Sequence, residues 1–125
     1  MAAQAQVLVI DDEESVRDAF VDALEGMPFV VTTACGGPEA LEILRSGPMA
    51  LVFLDLRMPG MDGVEVLRKI READEAVPVY LVTAFYAEFI SRLQAAEDEG
   101  LAFKLVCKPL GQEAIRKVTT AGLGA

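Results

Sequence analysis

The chain alternates short apolar runs with amphipathic segments five times along its 125 residues. The runs Val7-Leu8-Val9-Ile10 and Leu51-Val52-Phe53-Leu54 lack the polar alternation of a strand that has one face in water. Continuous apolar strands are typical of a parallel sheet that helices cover on both faces. The predicted strands are 6–10, 29–34, 50–54, 78–83 and 103–107. The predicted helices are 14–25, 38–46, 63–73, 87–98 and 112–121.

This alternation predicts an α/β fold. Right-handed crossovers between parallel strands place helices on both faces of the sheet, which gives a doubly wound three-layer sandwich. The length and the apolar content of 53% indicate one domain with one core. We expect a single domain over residues 1–125, with an ordered part at about 6–121.

Charge and hydropathy argue against two kinds of partner. The net charge is −9, whereas a nucleic-acid-binding domain needs a basic surface. The chain contains no apolar run long enough to span a membrane. Residues 1–6 lack the basic start and apolar stretch of a signal peptide. We therefore expect a cytoplasmic domain that binds neither nucleic acid nor a membrane directly.

The chain contains no histidine. This absence excludes from the chain a histidine-based catalytic triad, a histidine-ligated zinc and a phosphohistidine carrier. Cys35 and Cys107 lie far apart in sequence, without metal-ligand spacing. We interpret them as reduced thiols on or beside strands, packed as small hydrophobic residues.

Polar side chains stand where four of the predicted strands end. Asp11 and Asp12 follow the first strand, Asp55 the third, Thr83 the fourth and Lys108 the fifth. Side chains at the carboxyl ends of parallel strands converge on one crevice. The sequence therefore predicts that three carboxylates, a hydroxyl and an ammonium share a single site.

Such a cluster suits a divalent cation and a phosphoryl group. Two carboxylates about 5 Å apart repel by roughly 3 kcal/mol at an effective dielectric of about 20, and a third adds to the repulsion. Oxygen-rich sites favour Mg²⁺ or Mn²⁺. A carboxylate nucleophile, a cation and hydrogen-bond donors are together the components that form an acyl phosphate.

Each of these residues also has a purely structural interpretation. The acidic run 11–14 can cap the first helix and complement its dipole. Lys108 can form a simple salt bridge, and Thr83 can end a strand or cap the next helix. Turn chemistry alone explains the segment 58–63, which has the Pro-Gly and Asp-Gly pairs typical of turns.

Four segments of the chain resemble the receiver domain of response regulators in two-component signalling. They are Val9-Ile10-Asp11-Asp12-Glu13, Asp55-Leu56-Arg57-Met58-Pro59-Gly60-Met61-Asp62-Gly63, Thr83-Ala84 and Lys108-Pro109. The match covers essentially the whole chain. It implies a chemotaxis-receiver-like, flavodoxin-like (βα)5 fold with a five-stranded parallel sheet in the order 2-1-3-4-5.

The resemblance also implies a role for each site residue. Asp55 would be the phosphoacceptor in a Mg²⁺-dependent reaction, with Mn²⁺ as a substitute. Asp12 would bind the metal directly, Asp11 largely through water, and Arg57 through its main-chain carbonyl. Thr83 and Lys108 would hold the phosphoryl oxygens, and the Lys108-Pro109 peptide bond would be cis.

By the same resemblance, the domain is regulatory rather than an enzyme, apart from its own phosphotransfer and slow self-dephosphorylation. The phosphoryl donor would be a sensor histidine kinase or a phosphotransfer protein. The switching surface would comprise the fourth helix, fifth strand and fifth helix, and a homodimer could use the two helices of that surface. An output domain or a downstream protein would read the switch, and we expect no output domain within this chain.

The chain departs from the family pattern at Leu105, three residues before Lys108, where receivers commonly carry Tyr or Phe. Phe85, Tyr86, Phe89 or Phe103 could substitute for that aromatic, but we expect them in the core or facing a partner. The departure keeps open a receiver-fold interaction module that signals without phosphorylation.

Two enzyme or ligand-binding classes fit the sequence poorly. A haloacid-dehalogenase-type phosphatase needs a second acid two residues after the nucleophile, where this chain has Arg57. A nucleotide-binding domain needs a glycine-rich first turn, whereas residues 11–14 are all acidic.

Overall fold

The structure is a computed structural model that describes residues 4–58, 63–84 and 86–123. Every described helix and strand lies within one residue of its predicted bounds. The strands are β1 (Ala5–Ile10), β2 (Phe29–Ala34), β3 (Leu51–Asp55), β4 (Val79–Thr83) and β5 (Lys104–Cys107). The helices are α1 (Glu14–Leu24), α2 (Gly37–Ser46), α3 (Gly63–Ala73), α4 (Tyr86–Asp98) and α5 (Gln112–Gly122).

The five strands form one parallel sheet in the order β2-β1-β3-β4-β5. This order confirms the doubly wound, flavodoxin-like fold. The three central strands are those whose sequences are continuously apolar, because a central strand is covered on both faces. All residues of β3 and β4 are buried, whereas both edge strands are mostly half-exposed.

The helices divide between the two faces of the sheet, and each face has its own apolar layer. Helices α2, α3 and α4 cover one face, with Ala40, Leu67 and Leu93 among their buried residues. Helices α1 and α5 cover the other face, where Phe20 and Ile115 are buried. Fully burying one large aliphatic or aromatic side chain contributes about 1.5–3 kcal/mol. The two apolar layers therefore stabilise the sheet, and the polar residues lie at the carboxyl ends of its strands.

An aromatic stack runs through the layer beneath α1 and α5. The ring of Phe20 lies 4.8 Å from that of Phe53, and the ring of Phe53 lies 5.6 Å from that of Tyr80. These rings come from α1, β3 and β4. The stack therefore ties the first helix to the two strands that end in Asp55 and Thr83.

Both cysteines are free, as expected, but the prediction that they pack as small hydrophobic residues is wrong because both are exposed. Cys35 directly follows β2, and its thiol donates to the Glu39 carboxylate across 3.4 Å. Cys107 is the last residue of β5. Both positions lie at the ends of edge strands, where neighbouring strands cover only one side.

Within the described residues, no helix has the length and apolar character needed to cross a membrane.

Candidate functional site

The polar residues at the strand ends lie together at one edge of the sheet. Asp11 directly follows β1, Asp55 ends β3, Thr83 ends β4 and Lys108 directly follows β5. The residues Asp11, Asp55 and Thr83 are at most 6% exposed. The neighbouring Asp12 is exposed. The sheet hydrogen bonds extend to these positions, because the Asp11 N–H donates to Ala34 and the Lys108 N–H donates to Thr83.

The three aspartates form a compact carboxylate cluster. Asp11, Asp12 and Asp55 each offer an oxygen, and these oxygens all lie within 4.8 Å of one another. The register explains this, because Ile10 pairs with Leu54 and so places the residues that follow β1 beside the last residue of β3. The crevice that the sequence predicted is therefore present in the structure.

Lys108 connects two members of the cluster. Its Nζ lies 3.0 Å from Asp11 Oδ2 and 3.3 Å from Asp55 Oδ1. The salt bridge that the sequence left open is therefore present. The Lys108-Pro109 peptide bond is cis, which confirms the expectation from the resemblance.

The pKa values of Asp55 and Lys108 show how the charges of the cluster balance. Burial, together with the nearby charges of Asp11 and Asp12, raises the pKa of Asp55 to about 6, although Lys108 opposes the shift. Burial lowers the pKa of Lys108, but its hydrogen bond to Asp11 and the charges of Asp55 and Asp11 raise it by more. One ammonium therefore compensates the carboxylates only in part, and the donor set fits a divalent cation.

A pocket of about 530 Å³ opens over this cluster. Asp12 and Asp55 reach it, and Lys108 forms part of its wall. Its volume accommodates a cation together with a phosphoryl group. The lining residues are Asp12, Glu13, Asp55, Arg57, Met58, Ala84 and Lys108.

Asp11 differs from Asp12 in how fully its carboxylate is engaged. Its Oδ1 accepts the N–H of Glu13 across 3.0 Å, and its Oδ2 accepts Lys108. Among the described residues, the exposed Asp12 carboxylate accepts no hydrogen bond. The Asp11 carboxylate is thus already occupied, whereas that of Asp12 is open to the pocket.

The capping interpretation of the acidic run holds only in part. Glu14 lies in the first turn of α1, where its charge complements the helix dipole. Glu13 is the N-cap residue, but its side chain forms no capping hydrogen bond. Asp11 accepts an N–H two residues ahead, as short acidic side chains do at turns.

The segment after Asp55 is described at both of its ends. Arg57 lines the pocket with an exposed side chain, and Met58 is buried. Residues 59–62, which carry the predicted turn, lie outside the described residues. Helix α3 then begins at Gly63, as predicted, and its N–H donates to the Leu56 carbonyl across 3.0 Å.

Two site features were not predicted from the sequence. Glu13 lines the pocket, and its position directly after two ligand-type aspartates was a usable signal. Arg17 donates from α1 to the Asp11 carbonyl across 2.8 Å. The only sequence feature that pointed to this contact was a basic residue one turn into a helix that begins with acidic residues.

Leu105 occupies a half-buried position against the apolar layer beneath α3 and α4. It pairs with Leu81 across β4 and β5 and lines a cleft of about 420 Å³ between α4 and β5. Phe89 is 8% exposed in the same layer and Phe103 is partly buried there, as expected for core residues. Phe85 and the side chain of Tyr86 lie outside the described residues.

Comparison with known proteins identifies similar chains. The family model of the response regulator receiver domain matches residues 7–120. The C4-dicarboxylate transport transcriptional regulatory protein DctD of Rhizobium meliloti is 34% identical over 113 residues, which cover 90% of this chain and 24% of DctD. The regulatory protein AtoC of Escherichia coli is 32% identical over 98% of this chain and 26% of its own length. The chain thus spans about a quarter of these two relatives.

Solved structures share the same fold. The chemotaxis protein CheY4 of Vibrio cholerae superposes with a TM-score of 0.85 at 26% identity, covering 97% of this chain and all of CheY4. The receiver domain of NtrX from Brucella abortus superposes with a TM-score of 0.79 at 26% identity, covering 95% of this chain and 98% of that domain.

Proposed function

The chain belongs to the response regulator receiver domain family, and from this premise we propose that Asp55 accepts a phosphoryl group in a Mg²⁺-dependent reaction. The family is regulatory and acts in two-component signalling. One observation carries the proposal: the Asp55 carboxylate reaches a pocket while lying 3.3 Å from Lys108 Nζ and in one cluster with Asp11 and Asp12.

The donor set indicates which residues would hold the metal. Asp12 and Asp55 would bind Mg²⁺ directly, Asp11 would act through water, and Arg57 would contribute its main-chain carbonyl. Mn²⁺ suits the same oxygen ligands. When bound, the cation would neutralise charge on the phosphoryl oxygens.

The chain's own residues would then carry the transfer. A carboxylate oxygen of Asp55 forms a bond to phosphorus while the bond from phosphorus to the donor's histidine nitrogen breaks. Lys108 exchanges its contact with Asp55 for one with a phosphoryl oxygen, and the Thr83 hydroxyl donates to another. The donor is a sensor histidine kinase or a phosphotransfer protein.

The added phosphoryl charge would act on the surface formed by α4, β5 and α5 through Thr83. An output domain or a downstream protein would read that surface, and a homodimer could use α4 and α5 of the same surface. The domain itself, with a net charge of −9, would not bind nucleic acid, and we place it in the cytoplasm.

Leu105 favours a second candidate function. In the family pattern an aromatic at this position rotates inward when the threonine moves and so couples the threonine to the fifth strand. Leu105 does not provide that aromatic, which suits an interaction module that signals without phosphorylation. The two functions differ in a single observable, the covalent modification of Asp55.

Intact mass after incubation with acetyl phosphate tests the proposed function. We expect wild-type protein to gain one phosphoryl group with Mg²⁺, and none when the metal is chelated. The Asp55→Asn variant, which removes the nucleophile but keeps the size of the side chain, should gain none in either condition. Absence of modification in wild type under conditions that modify an established receiver would contradict phosphorylation and favour the interaction module.

The Asp12→Ala variant tests the metal site. Because the Asp12 carboxylate is open to the pocket, its loss should weaken Mg²⁺ binding by at least about 10-fold without unfolding the domain. Calorimetric titration with Mg²⁺ measures the affinity. Asp18→Ala is a matched control, since it removes an equal charge from an exposed position on α1. Equal affinity of Asp12→Ala and wild type would exclude Asp12 from the site.

A further inference from the structure

Among the described residues, four hydrogen bonds hold Asp11 in place. Two involve its side chain, with the Glu13 N–H and Lys108 as donors. The other two involve its main chain: its N–H donates to the Ala34 carbonyl across 3.1 Å, and its carbonyl accepts Arg17 Nη1 across 2.8 Å. Of these four contacts, the one with Arg17 comes from the body of a helix.

Arg17 can make this contact because of its place in α1. Helical side chains point back toward the helix N-terminus, so Arg17 returns over the first turn to the carbonyl that precedes it by six residues. The arginine is half-buried. Its guanidinium therefore closes the turn between β1 and α1 from the side of the helix.

The carbonyl that Arg17 holds belongs to the peptide unit between Asp11 and Asp12. A peptide unit is planar, so fixing its carbonyl also fixes the direction in which the chain enters Asp12. Among the described residues, no hydrogen bond to the Asp12 carboxylate performs this task. The orientation of the open carboxylate thus depends on its main chain.

We infer that Arg17 is a positioning residue for the metal site and holds the Asp11–Asp12 peptide so that the Asp12 carboxylate faces the cation. The inference rests on the proposed function, since it assigns to Arg17 a share in Mg²⁺ binding. Arg17 does not touch the metal or the phosphoryl group. It acts through the main chain of Asp11.

Charge and position predict opposite effects for the loss of this arginine. Removing a positive charge near three carboxylates strengthens the attraction of a cation if electrostatics alone operates. Releasing the peptide weakens binding, because the oriented ligand becomes mobile. We expect the positioning effect to dominate, because outer contacts that orient metal ligands typically contribute about 10–100-fold in affinity.

Mg²⁺ titration of Arg17→Gln, Arg17→Lys and wild type tests the inference. We expect Arg17→Gln to bind Mg²⁺ about 10-fold more weakly than wild type, and Arg17→Lys to regain part of that loss, since its ammonium can still donate to the carbonyl. In phosphorylation by acetyl phosphate, Arg17→Gln should raise the half-saturating Mg²⁺ concentration and leave the maximal rate near that of wild type.

Arg116→Gln is the matched control. Arg116 on α5 donates to the Ala23 carbonyl at the far end of α1 across 2.6 Å. This variant removes the same charge and the same kind of bond, away from the site. Its Mg²⁺ affinity should equal that of wild type.

Three results would overturn the inference. The first is unchanged or tighter Mg²⁺ binding in Arg17→Gln, and the second is a lower maximal rate with unchanged affinity. The third is loss of cooperative melting in both Arg17 variants, which would make the arginine a requirement of the fold instead. Failure of wild type to bind Mg²⁺ would refute the proposed function itself, and the titration of wild type reveals that case separately.

Discussion

Replacing Gly63 with alanine is expected to lower the free energy of unfolding by about 3 kcal/mol or more. Gly63 opens α3 directly against the end of β3. A Cβ at this position would lie 2.6 Å from the Asp55 carbonyl oxygen and 2.7 Å from the Leu56 Cα. Both atoms belong to the main chain, so no side-chain rotation relieves the overlap.

The loss of stability comes from the overlap between the added Cβ and the main chain of β3. It does not come from backbone strain, since the φ of Gly63 is not positive. In a helix that faces open space, alanine is about 1 kcal/mol more favourable than glycine. Here the helix and the strand must separate to admit the methyl group. Because the displaced strand residue is Asp55, Mg²⁺-dependent phosphorylation should fall as well.

Urea unfolding of the metal-free protein measures the change. Gly47→Ala provides a control, because a Cβ at Gly47 meets no atom within 4 Å and its backbone is extended, with φ at 169°. That variant should stay within about 0.5 kcal/mol of wild type. A Gly63→Ala protein as stable as wild type would show that α3 does not press on β3 as described.

Replacing Asp55 with asparagine is expected to stabilise the metal-free domain by up to about 3 kcal/mol at pH 8. The pKa of Asp55 is raised from 3.8 to about 6 in the folded state. The folded protein thus holds this proton more tightly than the unfolded chain. The resulting stability is present below about pH 4 and is lost as the pH rises through 6.

Asparagine carries no charge at any of these pH values, so the variant escapes that loss. The raised pKa of Asp55 already includes the favourable contact with Lys108, which opposes the rise. The asparagine variant weakens that contact. Wild type and Asp55→Asn should therefore differ most at pH 8 and converge toward pH 4. The ionised Asp55 thus lowers the stability of the metal-free domain, and we expect a bound cation to offset this cost.

Urea unfolding in the presence of a chelator, at pH 4 and pH 8, measures this difference. Asp18→Asn is the control, since it removes an exposed charge from α1 and should change little at either pH. Greater stability of wild type than of Asp55→Asn at pH 8 would contradict a strained carboxylate at this position.

The ends of the elements were predictable because two simple sequence patterns mark the strands and helices of this chain. Continuous apolar runs marked β1, β3 and β4, and amphipathic spacing marked the helices between the strands. The same reasoning placed Asp11, Asp55 and Lys108 at one edge, since parallel strands all end on the same side. Their mutual contacts followed from that placement.

Features that depend on packing distance were not predictable. The residue at 63 could be explained by turn chemistry, and only the structure shows that a Cβ at this position would overlap the main chain of Asp55. The exposure of both cysteines depends on which strands lie at the edges, and a strand's own sequence does not state its place in the sheet. The contact of Arg17 with Asp11 depends on how far one flexible side chain folds back.

The ion pair between Lys108 and Asp11 also bears on how the domain folds. It joins residues 97 positions apart, from the end of β1 to the end of β5, with β3 and β4 lying between those strands in the sheet. We expect such a contact to form after the intervening strands have paired, since closing so long a loop is entropically costly. Its stabilisation is absent from an early transition state and therefore slows unfolding more than it speeds folding. Two residues that we propose for the metal and phosphoryl site are thus also expected to prolong the lifetime of the folded state.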